Sequence, residues 1–386
     1  MHVSRKLTAL ALALGAGALL AGCSDQPAPT APEASFHRGG NLSHVGAHRS
    51  SGMVYLMSNA DGPNEVLVFS RSADGSLAAQ APVPTGGLGT GSGLGNQSAV
   101  VLSRDGRWLL VANPGSGDVT VFRVRSGELE RTDVQASGGA MPVSIALHGS
   151  LVYVLNAGAP NSVTGFRLRT DGSLRPIPGS ARPLSTASTG PAQVGFDPRG
   201  RVLVVTEKAT NTITTFVVDR RGLLSGPNSQ ASEGQTPFGF GFDSRGLLIV
   251  SEATTGSVSS YRVGRDGGLT VVSPAVSTHQ TAACWIAVSR NNRYAYSTNG
   301  GSGSVTGLRI GRGGSLHLLD ADGRTGVTGP GSVPLDAAFS LDGRYLYVLS
   351  SGLHQVSVFR LGPDGSLTLL PGASGLPATA NGMAVR

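Results

Sequence analysis

Two glutamates end apolar runs of the same type, because Glu207 closes Val-Leu-Val-Val-Thr-Glu and Glu252 closes Leu-Leu-Ile-Val-Ser-Glu. If the fold brings these carboxylates close together, their pKa values can separate so that one acts as an acid and the other as a base. The pair could instead bind a divalent cation. His279, in a nearby loop, is a third catalytic candidate, although a lone loop histidine is usually only solvated. The residues also leave open a simpler role, in which each glutamate accepts N–H bonds from the loop that follows it.

Eight further residues are candidates for ligand binding because they occupy two equivalent positions of a repeated pattern. The start of one apolar run holds Gln97, Gln193, Phe238, Trp285 and Asp336, and the end of the next run holds Asn113, Asn156 and Asn299. If the two runs are antiparallel neighbours, the start of the first and the end of the second meet on one face. Amides, carboxylates and two large aromatics around one mouth predict a pocket for a small polar ligand.

The elements that must position these residues form a sevenfold repeat between residues 54 and 386. Its Gly-x-Leu-type turns are 45 to 52 residues apart and end at Leu77, Leu129, Leu174, Leu224, Leu269, Leu316 and Leu367. A short run that alternates apolar and polar residues precedes each turn, as in half-buried strands. About four strands per unit without helical periodicity are typical of a β-propeller. We therefore predict an all-β, seven-bladed β-propeller over residues 52–386.

The two ends of the repeat indicate how the ring closes. The first unit begins at its second strand, from Met53 to Met57, and the chain ends in Asn381-Gly382-Met383-Ala384-Val385, which has the pattern of a first strand. The C-terminal strand is therefore expected to pair into the first blade, which removes an open sheet edge.

The N-terminus predicts export. Arg5-Lys6 precedes an apolar run from Leu7 to Leu20, which is the layout of a secretory signal and is too short for a membrane-spanning anchor. Leu20-Ala21-Gly22-Cys23 resembles the lipobox of bacterial lipoproteins. It predicts a signal peptide at 1–22, lipidation of Cys23 and anchoring to the cell envelope, on the periplasmic or outer side. An ordinary signal with an incidental cysteine is the alternative.

The composition predicts a tether after the signal peptide and limits which partners are expected. Residues 23–51 are polar and Pro-rich, which predicts a disordered tether. The formal net charge is +7, and Lys6 and Lys208 are the only lysines. Arginines recur at equivalent turns and, if spread around a ring, should form no patch, which argues against nucleic acid as a partner. The expected partners are a small polar or lactone ligand and, through the lipid anchor, the membrane; the ring is expected to be a monomer.

Common hydrolase and metal-site signatures are absent from the sequence. The chain has no Gly-x-Ser-x-Gly, His-Glu-x-x-His or Cys-x-x-Cys motif. The hairpin phrases that end in Asn or Glu, the Gly-Ser-Leu turns and the array length resemble the seven-bladed β-propeller lactonase family, which includes 6-phosphogluconolactonases and carboxymuconate cyclase-like proteins. The resemblance covers about residues 52–386, and it implies the propeller fold and lactone hydrolysis.

The resemblance also shows where this chain departs from the family. Gly190-Pro191 is followed by Ala192-Gln193 where the family carries Arg-His, and Phe238 follows Pro237 where the family carries Arg, whereas Glu207 is retained. A phosphorylated or polycarboxylate lactone needs cationic partners, and arginine supplies them in bidentate form. The departures therefore imply a lactone that is uncharged or weakly polar.

Two functions follow from these observations. In the first, the protein is a lactonase-like hydrolase at the envelope, with Glu207 as general base and Gln193, Asn156 and Asn299 orienting the ring carbonyl. In the second, it is a non-catalytic propeller that binds a small ligand, a glycan or a protein on the same face. Neither requires a cofactor, apart from the divalent cation considered for Glu207 and Glu252.

Overall fold

Seven antiparallel sheets make up the described part of the chain, residues 52–386 of a computed structural model. The predicted signal peptide, Cys23 and the tether lie outside the described residues. Each sheet is one blade with four strand positions, and in blades one, three and six the fourth position is divided between two separate strands. The prediction of an all-β, seven-bladed propeller is confirmed.

The first three blades contain thirteen strands before the C-terminal strand is added. Blade one comprises β1 (Gly52–Met57), β2 (Gly62–Arg71), β3 (Leu77–Ala79) and β4 (Val83–Gly89). Blade two comprises β5 (Val100–Leu102), β6 (Trp108–Asn113), β7 (Asp118–Arg125) and β8 (Glu128–Ala136). Blade three comprises β9 (Pro142–His148), β10 (Leu151–Asn156), β11 (Ser162–Leu168), β12 (Leu174–Pro176) and β13 (Arg182–Pro183).

The remaining blades follow the same order. Blade four comprises β14 (Pro191–Phe196), β15 (Val202–Glu207), β16 (Thr212–Val218) and β17 (Leu224–Ala231). Blade five comprises β18 (Pro237–Phe242), β19 (Leu247–Glu252), β20 (Ser257–Val263) and β21 (Leu269–Ser277). Blade six comprises β22 (Ala283–Val288), β23 (Tyr294–Asn299), β24 (Ser304–Ile310), β25 (Leu316–Leu318) and β26 (Gly326–Val327). Blade seven comprises β27 (Pro334–Phe339), β28 (Tyr345–Ser350), a 3-10 turn (Ser351–Leu353), β29 (Gln355–Leu361) and β30 (Leu367–Ser374), and β31 (Asn381–Val385) follows it.

Closure of the ring depends on the C-terminal strand. β31 pairs with β1 in antiparallel register, with Val385 opposite Val54 and Ala384 opposite Tyr55. The Arg386 N–H adds a bond of 2.8 Å to the Met53 carbonyl. Because β1 would otherwise be an unpaired sheet edge, this pairing removes the edge and joins both ends of the array. The predicted closure is confirmed.

The antiparallel order gives the ring two unlike faces. The hairpins that join first to second strands and third to fourth strands lie on one side, which we call the turn face. The connections from second to third strands, and from each blade to the next, lie on the other side, which we call the loop face. Gly106 and Gly343 both have φ of +69° in hairpins of the turn face, and glycine adopts this left-handed conformation without steric penalty.

Tyrosines of the second strands tie neighbouring blades together. The Tyr153 hydroxyl donates to the Gly222 carbonyl of blade four at 2.6 Å, and the Tyr296 hydroxyl donates to Gly365 of blade seven at 2.7 Å. Tyr347 of blade seven reaches the Gly75 carbonyl of blade one at 3.0 Å, across the point of closure. These rings are buried among branched apolar side chains, and burial raises the pKa of Tyr153 to about 12. Each tyrosine therefore contributes apolar contact and a satisfied polar end at a blade interface.

Candidate active site at the central channel

The carboxylate of Glu252 is enclosed by hydrogen bonds from its own surroundings. It is fully buried, and its Oε1 accepts from the Ser259 hydroxyl at 2.6 Å, the Ser232 hydroxyl at 3.1 Å and the Gly234 N–H at 3.1 Å. Its Oε2 accepts from the Ser257 hydroxyl at 2.7 Å. Buried charged groups need such partners. This carboxylate therefore joins the loop before blade five to the third strand of that blade.

Glu207 has the equivalent arrangement in blade four. It is fully buried, its Oε1 accepts from the Ser185 N–H at 3.2 Å, and its Oε2 accepts from the Thr210 hydroxyl at 3.0 Å and from the Ser185 hydroxyl. Both carboxylates are thus held by structural hydrogen bonds, but their N–H donors lie in the loops that precede the two blades and not in the loops that follow the glutamates. The geometry does not support their use as a base or as a cation site. Among residues 52–386, no cluster of three or more His, Cys, Asp or Glu is placed to hold a metal ion.

The asparagines at the ends of the second strands also turn into their own blades. The side-chain amide of Asn113 donates to the Asp118 carboxylate at 2.6 Å and to the Thr120 hydroxyl at 2.8 Å. Asn299 donates in the same way to Ser304 and Thr306, and Asn156 donates to Thr164 at 3.3 Å. All three asparagines are fully buried. They link second to third strands and do not line an open mouth, in contrast to the sequence-based expectation.

His279 lies away from the centre, exposed in the connection between blades five and six. Its backbone N–H donates to the Ser277 hydroxyl at 3.2 Å, and its φ is 55°. No contact of its imidazole with the other predicted site residues is seen in the described chain. The catalytic roles of Glu207, Glu252 and His279 therefore stay predictions without geometric support.

The predicted residues of the first strands do converge on the ring axis. Phe238 and Trp285 are buried and pack edge to face, with ring centroids 4.8 Å apart. The Gln193 amide donates to the Ser98 hydroxyl at 3.3 Å and to the Phe240 carbonyl at 3.1 Å. The Asp336 carboxylate accepts from the Ser98 N–H at 3.4 Å. Five candidates, Gln97 among them, thus form one central cluster.

This cluster is closed on the loop face by residues Leu94–Ser98, which we call the plug segment. The Gln97 side chain crosses the axis, where its amide donates to the Ile286 carbonyl at 2.9 Å and its oxygen accepts from the Ile286 N–H at 3.2 Å. The Trp285 indole donates to the Asn96 carbonyl at 2.7 Å, and the Lys208 ammonium donates to the Gly95 carbonyl. The plug segment thereby bonds to several blades and fills the mouth that the sequence predicted to be open.

The plug segment was not predicted from the sequence. The one signal in the sequence is the polar triplet Asn96-Gln97-Ser98 before β5, because the first strands of most other blades begin at Pro or Ala. A glycine opposite makes room for it, because a Cβ at Gly239 would lie 2.1 Å from Gln97 Oε1. Only the packing of blade five against blade two shows this fit.

Asp336 is the titratable group of the central cluster. It is 3% exposed, its Oδ1 accepts from the Ala337 N–H at 2.9 Å, and burial raises its pKa to about 7. The N–H groups of Ala337, Ser98 and Met383 favour the ionised form and oppose that rise. Because removal from water penalises the charged carboxylate most, burial dominates. Asp336 can therefore exchange a proton near neutral pH.

The open space of the channel lies below the cluster, towards the turn face. A cavity of about 1530 Å³ is lined by first strands of all seven blades, with Ser98, Gln193, Ala337 and Met383 among its residues. Arg104 and Arg290 of the hairpin turns also line it. The channel is therefore closed at the loop face and reaches the turn face, the reverse of the predicted orientation.

Arginines surround this open end. The hairpins from first to second strands carry the exposed residues Arg104, Arg107, Arg199, Arg245, Arg290, Arg293 and Arg344. Those from third to fourth strands add Arg169, Arg220, Arg221, Arg265 and Arg312. Because equivalent turns of all blades lie on the same face, these arginines share one side of the ring; that nucleic acid is not a partner stays a prediction. No helix of residues 52–386 is long and apolar enough to cross a bilayer.

Fold and site together define a seven-bladed propeller with a polar cluster at the closed end of its channel. The family model described as "Lactonase, 7-bladed beta-propeller" matches residues 30–182, 160–253 and 245–334. The 6-phosphogluconolactonase of Yersinia pestis (strain Pestoides F) is 25% identical over 279 residues, which cover 68% of this chain and 79% of that protein. The chain therefore belongs to the seven-bladed β-propeller lactonase family and is homologous to 6-phosphogluconolactonases.

Solved structures share the fold at lower identity. The periplasmic gluconolactonase of Pseudomonas aeruginosa has a TM-score of 0.68 and 18% identity, covering 85% of this chain and 98% of that one. A streptogramin B lyase has a TM-score of 0.55 and 13% identity, covering 74% of this chain and 85% of that one. Because such neighbours include a lyase, the fold alone does not assign the reaction.

Proposed function

We propose that this protein hydrolyses a small lactone in the central cavity, with Asp336 as general base. The observation that carries the proposal is the position of Asp336, a carboxyl group with a pKa of about 7 that accepts from the N–H of Ser98, whose hydroxyl in turn accepts from Gln193. The three residues whose N–H groups hold its carboxylate, Ser98, Ala337 and Met383, all line the cavity. A general base is most effective when its pKa lies near the working pH. Family membership supports a lactone as the substrate.

The proposed reaction uses one water molecule and no cofactor. Ionised Asp336 takes a proton from water as the oxygen attacks the lactone carbonyl, which forms a tetrahedral oxyanion. The ring C–O bond then breaks, and the proton passes to the leaving oxygen, so the product is a hydroxy acid. The Ser98 hydroxyl accepts from Gln193, and in the described chain its own proton has no acceptor. It can therefore donate to the oxyanion as the charge develops.

Kinetics on a lactone panel test this proposal with two isosteric variants. Asp336→Asn should lower kcat/KM by about 10²–10⁴-fold, whereas wild-type kcat/KM should rise with pH through about 7 as the carboxyl ionises. Glu207→Gln is the comparison, because it perturbs a buried carboxylate outside the central cluster. If Glu207→Gln abolished turnover in a folded protein and Asp336→Asn did not, Asp336 would not be the base. Saturable binding without turnover of any lactone would favour the non-catalytic alternative.

We also propose that the protein is exported and anchored to the envelope through lipidated Cys23. The support is the charged, apolar and small-residue order of residues 5–23, together with a structural neighbour described as periplasmic. Mass spectrometry of the mature N-terminus in membrane fractions tests it. A diacylated Cys23 is expected, and Cys23→Ala should prevent this processing. A mature chain that begins elsewhere with an unmodified thiol would refute lipidation.

A further inference from the structure

We propose that the turn face of the propeller docks on an anionic phospholipid surface, with its arginines against the lipid phosphates. The proposal concerns the outside of the ring, and it does not depend on whether the channel hydrolyses a lactone. It rests on three features: the unequal charge of the two faces, the lower exposure of the aspartates that pair with arginines of their own turns, and the place where the N-terminal segment leaves the ring.

The two faces differ in net charge. The twelve exposed arginines named above all belong to hairpins of the turn face, which also carry nine aspartates. The described connections of the loop face contain Lys208, with Asp61 and Glu233 as acids, and Arg324, between β25 and β26 of blade six, bonds to Gln280 there. Long-range attraction to an anionic surface would therefore orient the ring with the turn face towards it. Such a surface attracts clustered Arg and Lys residues within about one Debye length, roughly 8 Å at physiological salt.

Exposed aspartates of the same hairpins offset part of this field, but where an aspartate pairs with an arginine of its own turn, the arginine is the more exposed partner. Asp243 has a side-chain exposure of 0% and Arg245 one of 53%, and Asp219 and Arg221 have 42% and 82%. The aspartates accept N–H bonds within their own turns, as Asp219 does from Leu223 at 2.8 Å. Hydrogen bonds from that turn hold the pKa of Asp219 below its usual value. At the turns that pair an arginine with an aspartate, an approaching phosphate would thus meet the guanidinium group first.

The N-terminal segment leaves the ring on this same face. Gly52, the first described residue, lies opposite Arg71 at the start of β1, which is the turn-face end of that strand. A Cβ on Gly127, in the turn after β7, would lie 3.2 Å from the Met53 sulfur, and one on Gly106 would lie 3.2 Å from the Arg386 side chain. Gly52 is 29 residues beyond Cys23. If the segment between them behaves as the random coil that its composition predicts, a chain of that length spans about 30 Å on average. A lipid on Cys23 would therefore keep the turn face, rather than the loop face, near the bilayer.

Phosphate-bearing lipid is the partner that these features favour over nucleic acid, because the exit of the tether has no bearing on a nucleic-acid complex. Docking requires no pocket, since a ring of projecting guanidinium groups matches a plane of phosphates. Leu341 in the hairpin of blade seven is 47% exposed on this face and could enter the headgroup layer.

Sedimentation with lipid vesicles tests the proposal, using the chain from Ser24 onward. This form retains every described residue, including the strand that closes the ring, and lacks the apolar run and Cys23. Vesicles of phosphatidylcholine with about 30% phosphatidylglycerol should bind it, and phosphatidylcholine alone should not. Binding should fall steeply between roughly 0.05 and 0.5 M salt, because exposed charges are screened.

Charge variants identify the docking face. Arg199, Arg265 and Arg312 are exposed on three different blades and do not line the main cavity. Changing all three to Gln should weaken vesicle binding at least tenfold. The matched control introduces the same change in net charge on the loop face, with Ala140→Glu, Ser188→Glu and Ala209→Glu at exposed positions. This control should retain binding within about threefold, and circular dichroism would verify that both triple variants are folded.

Three outcomes would overturn the proposal. Equal losses in the two triple variants would show that net charge, rather than the turn face, governs binding. Equal binding to neutral vesicles would remove the role of phosphate. Tighter binding to a short DNA duplex than to anionic vesicles, at the same phosphate concentration, would make nucleic acid the partner of this face.

Discussion

Asp336→Asn should change how the stability of the ring depends on pH. In the native protein this carboxyl has a pKa raised by burial from 3.8 to about 7. Between those two values the folded state binds more protons at this site than the unfolded state does. The free energy of unfolding therefore falls as pH rises through this interval and levels off above about 7. Asparagine has nearly the same shape and no charge at any of these values, so the variant lacks this contribution.

The magnitude follows from the size of the shift. The pH has to rise about two units, at roughly 1.4 kcal/mol per unit, to take the site from fully protonated at pH 5 to its native pKa, and the loss is complete about one unit higher. The wild type should therefore lose about 3 kcal/mol from this site between pH 5 and pH 8. The amide also loses hydrogen bonds, because its nitrogen cannot accept from Ser98 or Ala337, at a cost of about 1–3 kcal/mol. That loss is nearly independent of pH. Asp336→Asn should therefore be less stable than wild type at pH 5 and about as stable, or more stable, at pH 8.

Urea unfolding of both proteins at pH 5, 6, 7 and 8 measures this difference. Asp219→Asn is a suitable control, because Asp219 is exposed and its pKa is lowered by hydrogen bonds from its own turn. Its effect on stability should stay constant over this range. If the difference between wild type and Asp336→Asn were also constant from pH 5 to pH 8, Asp336 would not titrate near neutrality. The proposed general base would then lose its physical basis.

Three further predictions test the plug, the buried glutamates and the access route. Gly239→Ala should destabilise the ring by about 1–3 kcal/mol, because its Cβ would lie 2.1 Å from Gln97 Oε1. Urea unfolding measures this loss, and the control Gly313→Ala, which has open space around it, should show little change. Glu252→Gln should lower the free energy of unfolding by about 1–3 kcal/mol, because the hydrogen bonds that the charged carboxylate accepts are weakened. A KM far from that of wild type would contradict the structural role of Glu252. Anionic vesicles should slow turnover of a water-soluble lactone, because the cavity opens on the turn face and docking would cover that opening. An unchanged rate with fully bound protein would argue that the substrate enters through the plug segment instead.

Much of the fold could be predicted from local patterns in the chain. Alternation of apolar and polar residues identifies strands because side chains on a strand point to opposite faces, and a repeated hairpin turn marks each blade. The closure by Asn381–Val385 follows from the same pattern, since one blade lacks a first strand and the chain ends with one. Position in the repeat also placed Gln193, Trp285 and Asp336 near the axis, because first strands of all blades line the channel.

What the sequence determined by itself was the ring, its closure and the set of first-strand residues near the axis. The tertiary structure alone decided which side chains stay available to a ligand. Glu207 and Glu252 are turned into their own blades because serine and threonine donors of neighbouring loops, and for Glu252 also of the third strand, enclose them, and buried charges require such partners. The course of Leu94–Ser98 across the channel and the gathering of arginines on one face depend on contacts between blades. Those contacts join residues far apart in the chain, so no local pattern records them.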